Sequence, residues 1–239
     1  MKALPLLACL LAASGHLFAA DAGPKDELKA AAKALGEKPN YSWKSNVENA
    51  GGGGGGRMGG PTEGKTEKDG VTHLSMTRGE TTTLALLKGG KGVVKTPDGW
   101  QTAEDLAADQ DRQNPARGAA RQLQNFKTPA VQAADLAEQA KELKKDGDAV
   151  AGDLTEAGAK SLLSFGGRGG GNGPEISGAK GSVKFWVKDG VLAKYQFKVQ
   201  GSVSWNGNDR EVDRTTTVEI KDVGTTKIEV PEDAKKKLQ

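Results

Sequence analysis

Residue types that carry out catalysis are sparse in this sequence. His16 and His73 are the only histidines, and Cys9 is the only cysteine. His73 falls in a predicted strand with no carboxylate or cysteine at metal-ligand spacing, so we interpret it as an ordinary strand residue. Neither a Gly-x-Ser-x-Gly nucleophile motif nor a His-Glu-x-x-His metal motif occurs. The sequence therefore predicts no metal site and no cofactor.

Two carboxylate pairs are the remaining candidates for acid–base chemistry. They are Glu104 with Asp105, and Asp109 with Asp111, all on one predicted helical segment. Paired carboxylates can hydrolyse glycosides when they flank the scissile bond. Neighbouring carboxylates on one helix are more typical of a solvated helix surface. We therefore predict a protein that is not an enzyme and has no catalytic residues.

Two glycine-rich stretches could in principle bind phosphate or RNA. The first, at residues 51–60, lacks the Lys-Ser/Thr pair of a phosphate-binding loop, and no helix follows it. The second, at residues 166–173, contains Arg168 and resembles only one unit of an RNA-binding Arg-Gly-Gly segment. We interpret both stretches as glycine-rich loops.

The first 20 residues have the pattern of a secretory signal peptide. Lys2 supplies a positive charge, residues 4–13 are mostly apolar, and small residues end the segment at Ala19 and Ala20. Cys9 ends a Leu-Leu-Ala-Cys sequence that loosely resembles a lipoprotein box, but only eight residues precede it. We therefore predict cleavage that removes Cys9 and export of the mature chain to the periplasm or the medium.

Composition limits the partners of the mature chain. The formal net charge of +3 is small for 239 residues, and it gives no concentrated basic face for nucleic acid. No apolar run after the signal peptide approaches the 18 or so residues of a membrane-spanning helix. Residues 21–239 are predicted to form a single domain that does not span a membrane.

Helical periodicity marks three regions. Residues 21–37 carry apolar residues at helical spacing, and residues 103–145 do so with an interruption at Asn114 and Pro115. Thr128 and Pro129 predict the start of a helix that runs to Lys145 with Val131 on its apolar face. A further helix is predicted from Thr155 to Phe165.

A two-residue period marks the strands. Residues 41–47 predict a first strand, residues 62–95 a meander, and residues 148–154 a short strand. The longest pattern lies in residues 181–230, where one face from Ala193 onward is apolar and the other polar. This alternation predicts a half-buried antiparallel meander.

The two turns of this C-terminal meander differ in how firmly they can be predicted. A three-residue loop at residues 188–190 would place Val187 opposite Val191, whereas a two-residue Asp189-Gly190 loop would shift every partner. We choose the three-residue loop because it pairs apolar with apolar side chains. The second turn is left open between a loop closed by Trp205 and Arg210 and a two-residue Asn206-Gly207 loop.

Arg214 is the one charged residue on the apolar face of the last strand of this meander. A charge on an inward face needs a partner or an opening to water. Three interpretations stay open. Arg214 reaches water near the rim of the sheet, contacts an anionic or carbonyl group in a cavity, or forms a structural ion pair.

Turn and strand sequences resemble those of the LolA-like superfamily, which includes the LppX/LprG-type lipid-binding lipoproteins. The resemblance covers residues 62–106 and 180–239. It rests on Lys-Thr-Pro-Asp-Gly-Trp at 95–100, Lys-Asp-Gly-Val-Leu at 188–192, Tyr-Gln-Phe at 195–197, the strand at 215–224 and Ile-Glu-Val-Pro-Glu at 228–232.

The resemblance implies an α+β fold, an antiparallel β-sheet half-barrel with helices packed on its concave face around an apolar cavity. A lipid, a lipidated protein or another apolar ligand would be the partner. The candidate ligand-binding residues are Trp43, Met76, Leu84, Leu86, Tyr195, Phe197, Val199, Trp205 and Arg214. The alternative is a structural or interaction protein of the cell envelope with a filled core and glycine-rich docking loops.

Overall fold

The computed structural model describes residues 23–50, 60–111, 114–164, 173–205 and 207–239. The predicted signal peptide with Cys9 lies outside the described residues. So do residues 51–59 of the first glycine-rich loop and residues 166–172 of the second.

Eleven strands form one antiparallel sheet in the order β6-β5-β4-β3-β2-β1-β11-β10-β9-β8-β7. The first six strands and the last five are each a meander, and the pairing of β1 with β11 joins them. Since β6 and β7 are the two edges, the sheet stays open, as predicted for a half-barrel. The strands are β1 (Asn40–Asn49), β2 (Thr62–Glu67), β3 (Thr72–Arg78), β4 (Thr81–Lys88), β5 (Lys91–Thr96), β6 (Gly99–Thr102), β7 (Lys144–Asp146), β8 (Ala149–Asp153), β9 (Glu175–Lys188), β10 (Val191–Trp205) and β11 (Asn208–Lys221).

Six helices accompany the sheet in the described part of the chain. They are α1 (Pro24–Gly36), α2 (Ala103–Ala108), α3 (Pro115–Gln124), α4 (Pro129–Gln139), α5 (Glu156–Leu163) and α6 (Glu232–Lys237). The first five cover one face, here called the inner face: α1 and α5 contact β9 and β10, α4 packs on α1, and α2 and α3 contact β5. The sixth departs from the prediction that the helices share one face, because α6 packs on the opposite, outer face.

The local sequence explains why α1 forms where it was predicted. Pro24 occupies the first turn, where its missing N–H would have no helical partner. Asp26 and Glu27 lie in the first turn and Lys33 in the last, which complements the helix dipole. Leu28, Ala31, Ala32 and Leu35 then form one buried stripe against the sheet and α4.

The predicted extension of α4 to Lys145 is wrong. The helix ends at Gln139, and Ala140 instead forms a bridge with Leu154. The Lys141 amide donates to the Asp153 carbonyl at 2.8 Å, so the chain continues as the edge strand β7 rather than as helix. Val131, predicted on the apolar face of α4, is 50% exposed.

The first C-terminal turn also differs from the prediction. Lys188 pairs with Val191, so the loop is Asp189-Gly190, and both residues have positive φ, 52° and 73°. That is the conformation of the two-residue turn that matches strand twist best. A register shift at Ala193 then brings Phe185 opposite Tyr195. The expected apolar pairing is therefore achieved through a bulge within β10 instead of a longer loop.

At the second turn, Trp205 pairs with Asn208. The two-residue alternative is thus the correct one. Val199 lies opposite Arg214, and Tyr195 lies opposite Val218. The predicted faces of β10 and β11 are retained.

Candidate functional site

Apolar side chains cluster separately on the two faces of the sheet. The large inner cluster includes residues of α1 to α5 and most strands. The small outer cluster comprises Leu86, Val93, Trp100, Ala234 and Leu238. The inner cluster borders a cavity of about 200 Å³, which is the candidate site. It is lined by Trp43, Ser45, Thr62, Leu74, Gln122, Asn125, Phe126, Lys127, Pro129, Gln132, Tyr195 and Val218.

The floor of the cavity is made by inward-facing positions of strands β3, β1, β11 and β10, with β2 between β3 and β1. Trp43 comes from β1, Leu74 from β3, Tyr195 from β10 and Val218 from β11. Strand alternation places their side chains on the inner face. Gly64 on β2 leaves room for the Trp43 indole, because a Cβ there would lie 2.1 Å from the ring.

The roof of the cavity is the connection between α3 and α4, residues 125–128. Phe126 stacks on Trp43 with ring centroids 6.0 Å apart and an interplanar angle of 20°. Lys127 Nζ forms an ion pair with Asp135 Oδ2 on α4 at 2.5 Å. The first contact holds the connection against the floor and the second holds it against α4, so the roof depends on side chains rather than on a continuous helix.

Two glutamines place amide groups at the cavity, and the oxygen of each is already used. The Tyr195 hydroxyl donates to Gln132 Oε1 at 2.6 Å. Arg78 Nη2 donates to Gln122 Oε1 at 3.2 Å. Burial raises the pKa of Tyr195 well above its ordinary value. The phenol therefore stays protonated and keeps donating at physiological pH.

The indole nitrogen of Trp43 is buried without a described hydrogen-bond partner. Its side chain is only 6% exposed, and its Nε1 has no hydrogen-bond partner among the described residues. A buried donor without a partner is unusual because its desolvation is uncompensated. The Nε1 atom is itself closed to solvent and lies beside Gly64 of β2.

Six of the nine sequence-predicted site residues fall into three groups. Trp43 and Tyr195 line the cavity. Met76, Phe197 and Val199 are buried in the inner cluster but do not line the cavity. Trp205 ends β10, and its side chain lies outside the described part of the structure.

Leu84 and Leu86 are corrections, because both point away from the cavity. In β4 the inward residues are Ala85 and Leu87, which join the inner cluster. Leu86 is buried in the outer cluster, and Leu84 is 37% exposed. The segment is apolar on both faces, so its alternation does not identify the inner one.

Arg214 is half-buried on β11 and does not line the cavity. Its Nη2 donates to the Leu162 carbonyl at 2.8 Å, in the last turn of α5. A cation at a helix C-terminus satisfies a terminal carbonyl and complements the helix dipole. Burial lowers the pKa of Arg214 from its very high ordinary value. This contact anchors α5 to the sheet, and the cavity interpretation of Arg214 stays a prediction.

Sequence reasoning missed several lining residues. Leu74 and Val218 follow the alternation of their strands, so the period alone could have identified them. Phe126 lies between two helices, where no period applies. Gln132 is a polar residue on an otherwise apolar helix turn, and this was the available signal for it.

In the described ranges, no group of three or more His, Cys, Asp and Glu side chains is placed to hold a metal ion. No helix of that part of the chain is long and apolar enough to cross a membrane. His73 lies on the outer face of β3, opposite Lys65.

Comparisons with known proteins give similarity in structure only. The chain is similar to LprF from Mycobacterium bovis, with 12% identity, a TM-score of 0.46, and coverage of 88% of this chain and 96% of LprF. It is also similar to the lipoprotein LppX from Mycobacterium tuberculosis, with 10% identity, a TM-score of 0.44, and coverage of 85% and 96%. No family model matches the sequence, and no curated protein matches it.

Proposed function

We propose that this protein is a non-catalytic binding protein that holds a lipid or another apolar ligand in the cavity beneath the α3–α4 connection. The observation that carries the proposal is the cavity itself, about 200 Å³ between the sheet and this connection. Its walls include the side chains of Trp43, Leu74, Phe126 and Val218. Removing an acyl chain from water into such surroundings is favourable by about 25 cal/mol for each Å² of apolar surface.

The size of the cavity limits what enters it. Drug-sized ligands usually occupy about 300–1,000 Å³, so a volume of about 200 Å³ admits one short apolar segment. A longer chain requires the roof to move. Since Phe126 is half-buried and the Lys127–Asp135 ion pair is exposed, displacing the connection breaks little stabilising structure.

The proposed compartment is the periplasm or the medium. It rests on the basic residue Lys2, the apolar residues 4–13 and the small residues that end the first 20 positions. A carrier exposed to water needs a sheltered site for an apolar ligand, and a cavity on the helix-covered face supplies one.

The test compares two adjacent residues on opposite faces of β1. Ser45 lines the cavity, whereas Asn46 faces outward and pairs with Thr217 of β11. Ser45→Phe places a ring into the cavity, and Asn46→Phe places the same ring on the surface. The measurement is uptake of a fluorescent fatty acyl probe by the purified mature chain, with native mass spectrometry of protein taken from its own envelope.

We expect Ser45→Phe to weaken probe binding at least tenfold and Asn46→Phe to leave it within a factor of two. Phe126→Ala should instead admit longer chains, because it opens the roof. No co-purified lipid together with no probe uptake by the wild type would reject the proposal. Equal binding by the two phenylalanine variants would place the probe elsewhere.

A second candidate function is a structural or interaction protein of the envelope. It is favoured by the close packing of the remaining inner face, where a Cβ on Gly201 would lie 2.8 Å from Leu163 Cδ1. The glycine-rich residues 51–60 and 166–173 would then dock partners. Their deletion should abolish capture of envelope proteins without lowering the melting temperature, and unchanged capture would argue against this function.

A further inference from the structure

A polar cavity of about 370 Å³ lies on the outer face of the sheet, on the other side of β1 and β2 from the candidate site. We call it the outer groove. Among its described lining residues, none belongs to the apolar outer cluster. The side chains that can recognise a ligand there include Lys44, Glu63, Lys65, His73, Ser75 and Lys221.

One row of residues that crosses the sheet at the outer groove has its charges paired. It runs over β10, β11, β1 and β2 as Lys194, Glu219, Lys44 and Glu63, so cations and carboxylates alternate. Lys44 Nζ lies 2.9 Å from Glu63 Oε1, and Lys194 Nζ lies 3.9 Å from Glu219 Oε1. Each cation of this row therefore has a carboxylate beside it.

The neighbouring row contains hydrogen-bond donors and no carboxylate. It runs over β11, β1, β2 and β3 as Lys221, Ser42, Lys65 and His73. All four side chains can donate, and the two lysines carry positive charge. Directly opposite residues of neighbouring strands lie only about 4.5–5.5 Å apart. The row therefore concentrates donors along one line of the outer groove.

Lys65 is the cation of this row that has no carboxylate partner in the described part of the chain. Its Nζ donates to the Lys227 carbonyl at 3.4 Å. The carboxylates of the outer groove are engaged with other residues: Glu63 pairs with Lys44, and Asp222 accepts from the Ser42 hydroxyl at 2.6 Å. The positive charge of Lys65 is thus available to an anion that enters the outer groove.

Two further donors lie near Lys65. His73 is half-buried, and burial together with the charge of Lys65 lowers its pKa, so at pH 7 its ring is neutral and offers one N–H. Lys221 Nζ lies 3.4 Å from Glu219 Oε2, and both side chains are well exposed. Exposed pairs contribute little stability, so Lys221 can exchange this carboxylate for a ligand.

We propose that the outer groove is a binding site for a phosphate group, with Lys65 and Lys221 supplying charge and His73 and Ser75 supplying hydrogen bonds. These donors come from three different strands, and a phosphate has more charge and more acceptor oxygens than a carboxylate to satisfy them. A volume of about 370 Å³ also leaves room for a small organic group on the phosphate. This site is separate from the apolar cavity of the proposed function.

His73 serves as the reporter, because it is the only histidine of the predicted mature chain, residues 21–239. The mature chain without an affinity tag is titrated at pH 7 and constant ionic strength with sn-glycerol 3-phosphate, inorganic phosphate and acetate. The imidazole resonances are followed by NMR. We expect both phosphates to give a saturable shift at about tenfold lower concentration than acetate, and to raise the His73 pKa by about one unit.

The decisive variant is Lys65→Met. It should weaken binding of glycerol phosphate, measured by calorimetry, about tenfold or more, the effect of one hydrogen bond from a charged group. Lys65→Arg keeps the cation and should bind within a factor of about three of the wild type. The matched control is Lys198→Met, which removes an outer-face cation that pairs with Asp213 and does not line the outer groove. It should change the affinity less than about twofold.

Vesicle binding distinguishes the two sources of a phosphate group. Vesicles of phosphatidylcholine with and without phosphatidylglycerol are sedimented with the mature chain. Retention on the phosphatidylglycerol vesicles that is lost in Lys65→Met assigns the phosphate to a lipid headgroup. A response to glycerol phosphate without such retention assigns it to a soluble ester.

Three results would overturn the phosphate site: equal responses to acetate and phosphate, equal affinities of Lys65→Met and the wild type, or no response of His73 together with no vesicle retention. Each of these leaves the proposed function intact, because uptake of the acyl probe depends on the inner cavity. Lys65→Met should keep that uptake, which also shows that the variant is folded. Loss of probe uptake by the wild type would reject the proposed function without affecting the outer groove.

Discussion

Two buried tryptophans lie on opposite faces of the sheet. They differ in the element that packs over them, and only one of them has a cavity beside it. Trp43 on the inner face is 6% exposed and Trp100 on the outer face is 8% exposed. Trp100 packs with Ala234 and Leu238, at the C-terminal end of the chain, and Lys95 Nζ lies 5.8 Å from its ring centroid. Trp43 is covered by the irregular connection at residues 125–128, and a cavity remains beside it.

The cavity therefore arises where the cover of the sheet is not a regular helix. Helices α1 and α5 pack closely over β9 and β10, α4 packs on α1, and α6 closes the outer cluster. The α3–α4 connection presents one aromatic ring and cannot fill the surface around it. Variants of the inner and outer faces should therefore affect stability and binding differently.

The largest expected effect is the loss of a central inner residue. Phe185 is fully buried opposite Tyr195, with ring centroids 6.4 Å apart. Phe185→Ala should lower the free energy of unfolding by about 3–5 kcal/mol, measured by urea denaturation followed by circular dichroism. Val187→Ala, on the same strand but exposed, is the control and should change it by about 0.5 kcal/mol or less. Similar losses in the two variants would show that Phe185 is no more buried than Val187.

Removing the outer cover should have a smaller effect. Deletion of residues 232–239 takes away α6 and Leu238 and exposes Leu86, Val93 and Trp100. We expect a loss of about 2–3 kcal/mol, roughly the burial of one large aliphatic side chain and its neighbours. Acyl probe binding should be unchanged, because the cavity lies on the other face. A truncated protein that keeps its stability but loses the probe would contradict the separation of the two clusters.

Arg214 links the inner face to α5 through a hydrogen bond to the Leu162 carbonyl. Arg214→Met keeps much of the aliphatic length and removes the donor to the Leu162 carbonyl. The free energy of unfolding should fall by about 1–2 kcal/mol, from the hydrogen bond and the helix-end charge together. Lys221→Met, an exposed cation on the same strand, is the comparison and should cost less than about 1 kcal/mol. A change in ligand content without a change in stability would instead indicate that Arg214 contacts the ligand.

The two faces also explain which features the sequence could predict. In β10, Tyr195, Phe197 and Val199 alternate with polar residues because the outer face there meets water, so the period identifies the inner face. In β4 the period fails at Leu84 and Leu86. The outer cluster there is covered by residues about 150 positions later in the chain. Such a distant partner leaves no local signal.

Prediction of the site from the sequence is limited in the same way, by contacts between residues that are distant in the chain. Trp43 and Tyr195 were predicted from strand patterns, but the cavity between them depends on where α3 and α4 are placed. Phe126 and Gln132 acquire their roles only from that tertiary arrangement. At the first C-terminal turn, pairing of apolar residues was correctly expected, but the bulge at Ala193 was not foreseen, since a bulge and a longer loop meet the same packing demand.

Tyr195 gives the inner face a dependence on alkaline pH. Burial raises its pKa well above the usual value near 10, and Tyr41 adds a smaller effect in the same direction. Above pH 10 the unfolded chain ionises while the folded phenol stays protonated, so the unfolded state binds fewer protons and stability falls as pH rises. Tyr195→Phe should lose about 1 kcal/mol at pH 7, the hydrogen bond to Gln132, and show a shallower decline above pH 10. Equal declines in wild type and variant would mean that Tyr195 is not buried.

His73 gives the outer face the opposite and smaller dependence. Burial lowers its pKa below the ordinary value near 6.5, and the charge of Lys65 across the strand pair adds to this. As pH falls through 6.5 the unfolded histidine gains a proton before the folded one, so the unfolded state binds more protons and stability declines. The carboxylates with lowered pKa titrate below about pH 5, so the interval from pH 5 to 7.5 reports on His73.

The measurement for His73 is urea denaturation across that interval, with an NMR titration of the imidazole in the mature chain. His73→Gln should remove this pH dependence of stability. Lys65→Met should raise the His73 pKa and thereby make the pH dependence smaller. Neither variant should alter acyl probe binding, because the ring lies on the outer face and does not line the cavity. If His73→Gln changed probe affinity in this pH range, the outer face would be coupled to the cavity, and the two faces would not act independently.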